Sequence, residues 1–429
     1  PAARRLLSDP ARFSAVERGL IFLGMVGIKD PARPEVPAAI SSCREAGIRV
    51  LMMTGDSRDT AAAIAKDVNI FCDGDDIEAK TFSGGEFFAL PPERQEQLLQ
   101  EGNLVFCRAE PSDKQRLLRQ LQTLGEVAAM TGDGVNDAPA LQQAAIGIAM
   151  GIAGTEVAKQ AADMVLADDN FATIIAAIEE GRAIYANMKA FINFLITCNI
   201  GEVAAVFLAT LLALPEVLGP LHLLWINLVT DGPPATALGF NPPDPGNMQR
   251  PPRGRGDPLV TRFTLFRYLV TGSYVGCATV GAFIHSYQRR GIAPSVLRRW
   301  SQCAAWPADT ISGFTHACDA FAMHGGKAAA STVALSTLVV MEMLRALCSV
   351  SEHESLLVKP PWANRFLLLG VSLPLALHSF VMYCPPLAQL LHLVPPTIAD
   401  WQSIACFALP LLLLEELLKF GARLMHQQE

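Results

Sequence analysis

The run Thr131-Gly132-Asp133-Gly134-Val135-Asn136-Asp137 sets two carboxylates and an amide close together, directly after the apolar stretch 126–130. Such a stretch reads as a buried strand, and the two glycines let the backbone turn sharply beyond it. In open α/β sheets the carboxyl end of a strand is where ligands bind. Clustered carboxylates repel one another unless a cation sits among them, and hard oxygen ligands suit Mg2+. The competing reading is a polar turn whose Asp and Asn cap the next helix. Thr54-Gly55-Asp56 repeats the pattern after a second apolar stretch, 48–53, and this favours chemistry over capping.

A second polar set lies where hydrocarbon should exclude it. Asn199 and Glu202 are three apart, Asn227 and Asp231 four apart with Thr230 beside them, and Glu342 interrupts another apolar stretch. Spacings of three and four place residues on one helical face. Ionisable groups at membrane depth mark an ion path or a pair. Gly232-Pro233-Pro234 should break or kink the helix after Asp231 and free backbone carbonyls as further ligands. Carboxylates, amides and a hydroxyl form an anionic, all-oxygen cage suited to Ca2+ rather than to zinc or copper, which favour His and Cys. The structural alternative is hydrogen bonding between neighbouring helices, a common role for membrane amides.

The elements that must hold these groups fall into two parts. From about residue 21 to 173 apolar stretches alternate with helical spacing: 20–26, a helix at 36–45, then strands at 48–53, 127–130, 145–150 and 163–166. Alternation of this kind predicts α/β structure with a mostly parallel sheet covered by helices. The acidic stretch 73–86 fails as a calcium loop, because Lys80 stands where the turn glycine is needed, and it reads as a solvated loop. Beyond Phe171 the apolar segments reach bilayer length, at about 187–211, 217–237, 263–286, 329–350, 364–384 and 399–421. The first continues from a polar helical stalk. An even number of spans puts the α/β part and the C-terminus on one side, and Arg250, Arg253, Arg255, Arg262, Lys359, Lys419 and Arg423 mark that side as cytosolic.

Composition agrees with a chain of two compartments. The 429 residues are 51% hydrophobic and only 17% charged, too apolar for an ordinary soluble enzyme. There is no basic stripe with interleaved aromatics, so nucleic acid is not an expected partner, and no signal peptide opens the chain. The ten Cys show no Cys-x-x-Cys spacing. Cys303 and Cys318 share a long loop on the side opposite the α/β part, where an oxidising lumen would permit a disulfide. Cys198, Cys277 and Cys406 read as small packing residues.

The two Thr-Gly-Asp segments, with Asp30-Pro31-Ala32-Arg33, Glu110-Pro111-Ser112-Asp113-Lys114, the run 164–171, Asn227-Leu228-Val229-Thr230-Asp231-Gly232 and the run 237–244, resemble the P-type cation pumps of the sarco/endoplasmic reticulum calcium ATPase type. The resemblance spans nearly the whole chain and is to the C-terminal half of such a pump. It implies the end of a nucleotide-binding domain or hinge at 1–20, a haloacid-dehalogenase-like phosphorylation domain at 21–175, and a transmembrane domain of six helices at 176–429. Its implied partners are a lipid bilayer, the N-terminal half of the pump and small membrane regulators. The location it implies is an internal membrane of the endoplasmic or sarcoplasmic reticulum kind.

Site roles follow from the same resemblance. Lys114 would neutralise a transferred phosphoryl group, with Thr54 and Gly55 holding its oxygens. Asp133 would bind Mg2+, Asn136 and Asp137 would complete the pocket, and Asp56 and Arg108 would contact ATP. Calcium would be held by Asn199, Glu202, Thr230, Asp231 and Glu342 at one ion and by Asn227 and Asp231 at the other. Two residues depart from the family pattern: Pro233 replaces a Leu, and Arg345 replaces an Asn one turn from Glu342. Arg345 would pair with Glu342 or snorkel to the cytosolic interface, and the charges resuming at Glu352 favour snorkelling. The phosphorylated Asp of an Asp-Lys-Thr-Gly-Thr motif is absent from these residues. The expectation is therefore a calcium pump in the full product and no ATP hydrolysis by this stretch alone. The alternatives are a truncated, non-catalytic calcium-binding or pump-regulating membrane protein and a phosphatase-like domain on a membrane anchor.

Overall fold

The computed structural model describes residues 19–27, 31–72, 74–244, 246–254, 256–307, 311, 313–323, 325–351 and 355–426. Most of the proposed hinge at 1–20, with Asp30, Arg255 and Glu352, lies outside the described residues. The chain forms two compact units, one comprising residues up to 41 with 49–117, the other 42–48 with 118 onward. The dividing point falls within the stretch 21–175 that was read as one domain.

In the first unit, the predicted helix α1 (Val36–Glu45) is followed by β1 (Met52–Met53), α2 (Arg58–Asp67), β2 (Thr81–Ser83), α3 (Gly84–Ala89), α4 (Pro92–Glu101), β3 (Val105–Cys107) and α5 (Pro111–Thr123). The α1 and α5 helices each run on past the unit's edge. The strands pair in parallel in the order β1-β3-β2, with Met52 and Thr81 both opposite Val105. Phe82, Phe87 and Phe106 pack edge to face at centroid distances of 5.8 and 5.1 Å.

Two readings are corrected here. The stretch 73–86 is not simply a solvated loop: an Asp75–Lys80 ion pair at 2.6 Å closes it, and β2 follows with Thr81 buried. Glu86 caps α3, accepting from the Ser83 amide at 2.8 Å, and pairs with Arg58 at 3.6 Å. The apolar stretch 20–26 is neither strand nor helix, and its side chains are exposed.

The second unit carries β4 (Ala129–Gly132), α6 (Ala138–Gln143), β5 (Ile146–Met150), α7 (Glu156–Ala161) and β6 (Met164–Leu166). These strands are also parallel, in the order β4-β5-β6, with Met130 opposite Gly147 and Ala149 opposite Val165. The expected parallel topology is present, but as two separate three-stranded sheets. Asp168 then accepts from the Asn170 amide at 3.1 Å and the Thr173 hydroxyl at 2.8 Å, and Asn170 caps α8 (Phe171–Leu211). Arg182 on α8 donates to the carbonyls of Ala46, Asn247 and Arg250, each at 2.9 Å. That ties the stalk to the end of α1 and to the loop after Leu238.

The stretches predicted as spans carry helical segments of unequal kind. The second is built of α9 (Pro220–Trp225), a π-helical turn at Ile226–Thr230, and α10 (Gly232–Leu238). The third is α11 (Arg262–Arg289), the fourth α12 (Gly326–Cys348), and the fifth α13 (Arg365–Tyr383). The sixth divides at Pro410 into α14 (Ile398–Ala408) and α15 (Pro410–His426). Among the described residues, three segments are long and apolar enough to cross a membrane: Phe171–Leu211, Ala317–Cys348 and Arg365–Tyr383. Lys419 is buried. Cys303 and Cys318 are disulfide-bonded, with Cα atoms 5.1 Å apart.

Helices α8 and α11 meet through glycines. A Cβ on Gly276 would lie 2.6 Å from the Ala204 methyl, one on Gly201 would lie 2.7 Å from a Val275 methyl, and one on Gly272 would strike Ile200. Small residues at four-residue spacing let two backbones approach closely, as membrane helices do in the absence of a hydrophobic drive to associate.

Candidate functional site

Two groups of polar residues lie at strand ends, one in each unit. In the first unit Thr54 follows β1; its amide donates to the Phe106 carbonyl at 2.9 Å and its hydroxyl to Asp56 at 2.9 Å. The Asp56 amide returns a bond to that hydroxyl at 3.2 Å. Arg108 leaves β3 with a φ of 45°, held there by its amide on the Asp56 carbonyl at 3.0 Å. Gly55, Asp56 and Arg108 are exposed and Thr54 half-buried, and the bonds between Thr54, Asp56 and Arg108 gather these groups at the ends of β1 and β3; Lys114 is half-buried. Lys114 sits in the first turn of α5, whose start is fixed by Asp113 accepting from the Glu110 amide at 3.0 Å.

In the second unit Gly132 ends β4 and Asp137 is buried, one carboxylate oxygen accepting from the Gly134 amide at 3.2 Å. A Cβ on Gly132 would come within 2.6 Å of the Asp137 Cβ, so only glycine fits there. Asp133 and Asn136 are exposed, and the Asp133 carbonyl takes the Thr155 amide at 2.8 Å. An accessible carboxylate four residues before a second, fixed one is a donor pair that suits a divalent hard cation.

The helical set is more tightly drawn. Cys198 on α8, Asp231 after the π turn and Glu342 on α12 bring one ligand atom each to within 4.8 Å of one another, and all three residues are buried. Neither carboxylate oxygen of Asp231 or of Glu342 has a hydrogen-bond partner. Buried carboxylates without partners are costly, which makes this place a receptor for positive charge. Asn227 donates to both oxygens of Glu202, at 3.0 and 2.8 Å, linking the π turn to α8.

The backbone at Asp231 explains part of this arrangement. The Asp231 amide reaches back five residues to Ile226 at 3.0 Å, and Pro233 and Pro234 supply no N–H to the carbonyls four residues before them, Val229 and Thr230. Thr230 is buried and its hydroxyl donates to the Ile226 carbonyl at 2.7 Å, leaving its lone pairs for other use. The helix is interrupted at Asp231, as the glycine and prolines predict, and the irregularity begins one turn earlier, at the π turn.

Three sequence readings change. Asn199 is exposed and donates to the Leu195 carbonyl of its own helix at 2.8 Å, so it is not gathered with Asp231 and Glu342. Cys198, read as packing, is the α8 residue that does face them. Its signal was present, since Cys198 and Glu202 are four apart on α8. Arg345 neither snorkels nor pairs with Glu342: it is buried, and its guanidinium bonds Glu415 of α15 at 3.0 Å. Glu415 was not singled out in the sequence, because nothing local distinguishes it from Glu416.

Residues 215–421 match the family described as cation transporting ATPase, C-terminus. Residues 5–145 and 114–178 match models of haloacid dehalogenase-like hydrolases. A hydrolase region with parallel sheets, joined to a helical cation-transport region, places the chain in the P-type cation-transporting ATPase family. Within it, the chain is 48% identical over 446 aligned residues to "Calcium-transporting ATPase 4, endoplasmic reticulum-type" of Arabidopsis thaliana. It is 46% identical over 450 aligned residues to "Calcium-transporting ATPase 2, endoplasmic reticulum-type" of the same plant. Each alignment takes in 99% of this chain and 42% of the relative.

Proposed function

We propose that this chain is part of an ATP-driven pump that moves Ca2+ from the cytosol into the lumen of an endoplasmic-reticulum-type membrane. The observation that carries this reading is the pair of buried carboxylates, Asp231 and Glu342, without hydrogen-bond partners among apolar helices. Asp231, Glu342, Glu202, Asn227 and Thr230 would bind the transported ion, with Cys198 beside them and Asn199 contributing only after a turn of its side chain. The six helical segments would span the bilayer, with the α/β units and the C-terminus cytosolic.

By the resemblance, Thr54, Gly55 and Lys114 of the first unit would serve the transferred phosphoryl group and Asp56 and Arg108 the nucleotide, while in the second unit Asp133 would take Mg2+ with the help of Asn136 and Asp137. Bound Mg2+ would neutralise phosphate charge and orient the phosphoryl group for transfer. The nucleophile would be an aspartate outside these residues, so this stretch alone would bind calcium without hydrolysing ATP.

The test uses native membranes incubated with radioactive ATP in the cold, with and without Ca2+, and resolved on an acid gel. An antibody to this sequence should mark a calcium-dependent, hydroxylamine-sensitive band well above this chain's own mass. Antibody signal only at the chain's own mass, without label, would replace the pump by a non-catalytic calcium-binding or regulatory protein.

A further inference from the structure

Arg345 lies three residues beyond Glu342 on α12, on the same face and within reach of it. Glu342 offers a carboxylate with neither oxygen hydrogen-bonded, and a planar guanidinium is a natural bidentate partner for such a group. Arg345 nevertheless turns the other way. Its Nη1 donates to Glu415 Oε2 at 3.0 Å and its Nη2 to the Thr197 hydroxyl at 3.5 Å.

Glu415 is fully buried and firmly placed. Arg267 of α11 donates to the same oxygen at 2.8 Å, and the Thr271 hydroxyl donates to the other at 2.9 Å. One carboxylate from α15 therefore gathers a cation from α11 and another from α12. An Arg–Glu–Arg cluster can simply tie helices together. Two features point further. Arg267 and Thr271 already engage both oxygens of Glu415, so the cluster's pairing does not require Arg345. In addition, Thr197 and Cys198 are consecutive on α8, so the guanidinium is parked beside the ion-binding group without entering it.

We propose that Glu415 is a positioning residue for calcium binding: it draws the Arg345 guanidinium away from Glu342 and so leaves the Glu342 carboxylate to the ion. This rests on the reading of Glu342 as a calcium ligand. With the charge of Glu415 removed, Arg345 has an unpartnered carboxylate one turn back along its own helix. A guanidinium there competes with calcium by occupying the ligand oxygens and by like-charge repulsion. The arrangement makes an arginine tolerable where the family pattern has an asparagine.

The test uses the full-length pump, purified, with binding of radioactive calcium as the readout. Glu342→Gln serves as the reference and should weaken binding. Glu415→Gln should raise the calcium concentration for half-saturation about tenfold, the weight of one charged hydrogen bond. Adding Arg345→Asn to Glu415→Gln should restore most of the affinity, because no guanidinium remains to compete. A purely structural role for Glu415 predicts the opposite, since the double variant would be as weak as Glu415→Gln or weaker. Thr271→Val loosens Glu415 without removing its charge; it should shift calcium binding in the same direction by less, again reversed by Arg345→Asn. That pair decides the matter if Glu415→Gln does not fold. Unchanged binding in Glu415→Gln and Thr271→Val, or a loss that Arg345→Asn does not reverse, overturns the proposal while leaving the calcium site standing. Unchanged binding in Glu342→Gln overturns both.

Discussion

Cys198 gives the proposed ion-binding group a soft atom among hard ones. Its sulfur lies within 4.8 Å of ligand oxygens from Asp231 and Glu342, so a thiophilic divalent ion should bind there better than at an all-oxygen site. If the proposed function holds, cadmium should therefore displace calcium from the full-length protein, and Cys198→Ser should weaken cadmium about tenfold or more while leaving calcium within about twofold. Competition binding with the two ions measures both. At the other end of α8, Asp168 has its carboxyl pulled below the ordinary 3.8 by hydrogen bonds from the Asn170 amide and the Thr173 hydroxyl. A depressed native value means that its support for the helix start is present above 3.8 and fades as pH falls through the lower native value. Asp168→Asn should speed hydrogen exchange at Asn170–Thr173 at neutral pH, where the parent does so only in acid. The carboxylates were legible in the sequence because ionisable groups stand out in apolar stretches. The partner of Arg345 was not, because Glu415 lies 70 residues along the chain and its choice over Glu342 is made by packing.

At the scale of elements, α8 and α11 are held together by what they lack. Gly201, Gly272 and Gly276 have no room for a side chain against the facing helix. Gly276→Val should force the two backbones apart, at a cost of about 1–3 kcal/mol for overpacking. Thermal denaturation in detergent should show a lowered midpoint, with calcium binding weakened because α8 carries Cys198 and Glu202. The long elements were readable from apolar length and the strands β4, β5 and β6 from their apolar character. The strands β2 and β3 were not: three residues each carry no period, and Thr81 is buried by its neighbours, not by its own polarity. The π turn at Ile226–Thr230 was half legible, since the prolines announced an irregular backbone but not the register at which it begins.

For the whole molecule, parallel α/β structure joined to long apolar helices could be read from the chain. The helical region carries its own covalent brace, the Cys303–Cys318 bond, which closes a separation of 15 residues. A loop of that size is stabilised by about 3 kcal/mol on chain-entropy grounds. Cys303→Ser should make the segment between α11 and α12 cleave faster in limited proteolysis, and reductant should do the same to the parent but not to the variant.

Helix α8 is a single rod of 41 residues, about 60 Å long at 1.5 Å per residue, with no proline in it. Cys198 stands 27 residues from its start, about 40 Å along. Over that arm a tilt of about 1° at the β6 end sweeps the sulfur and its neighbours sideways by about 0.7 Å. Calcium–oxygen distances span only about 0.3 Å, from 2.3 to 2.6 Å. Geometric leverage alone therefore makes the proposed grip on an ion a sensitive gauge of how the far end is held, and the three carbonyls clasped by Arg182 steady the rod between the two.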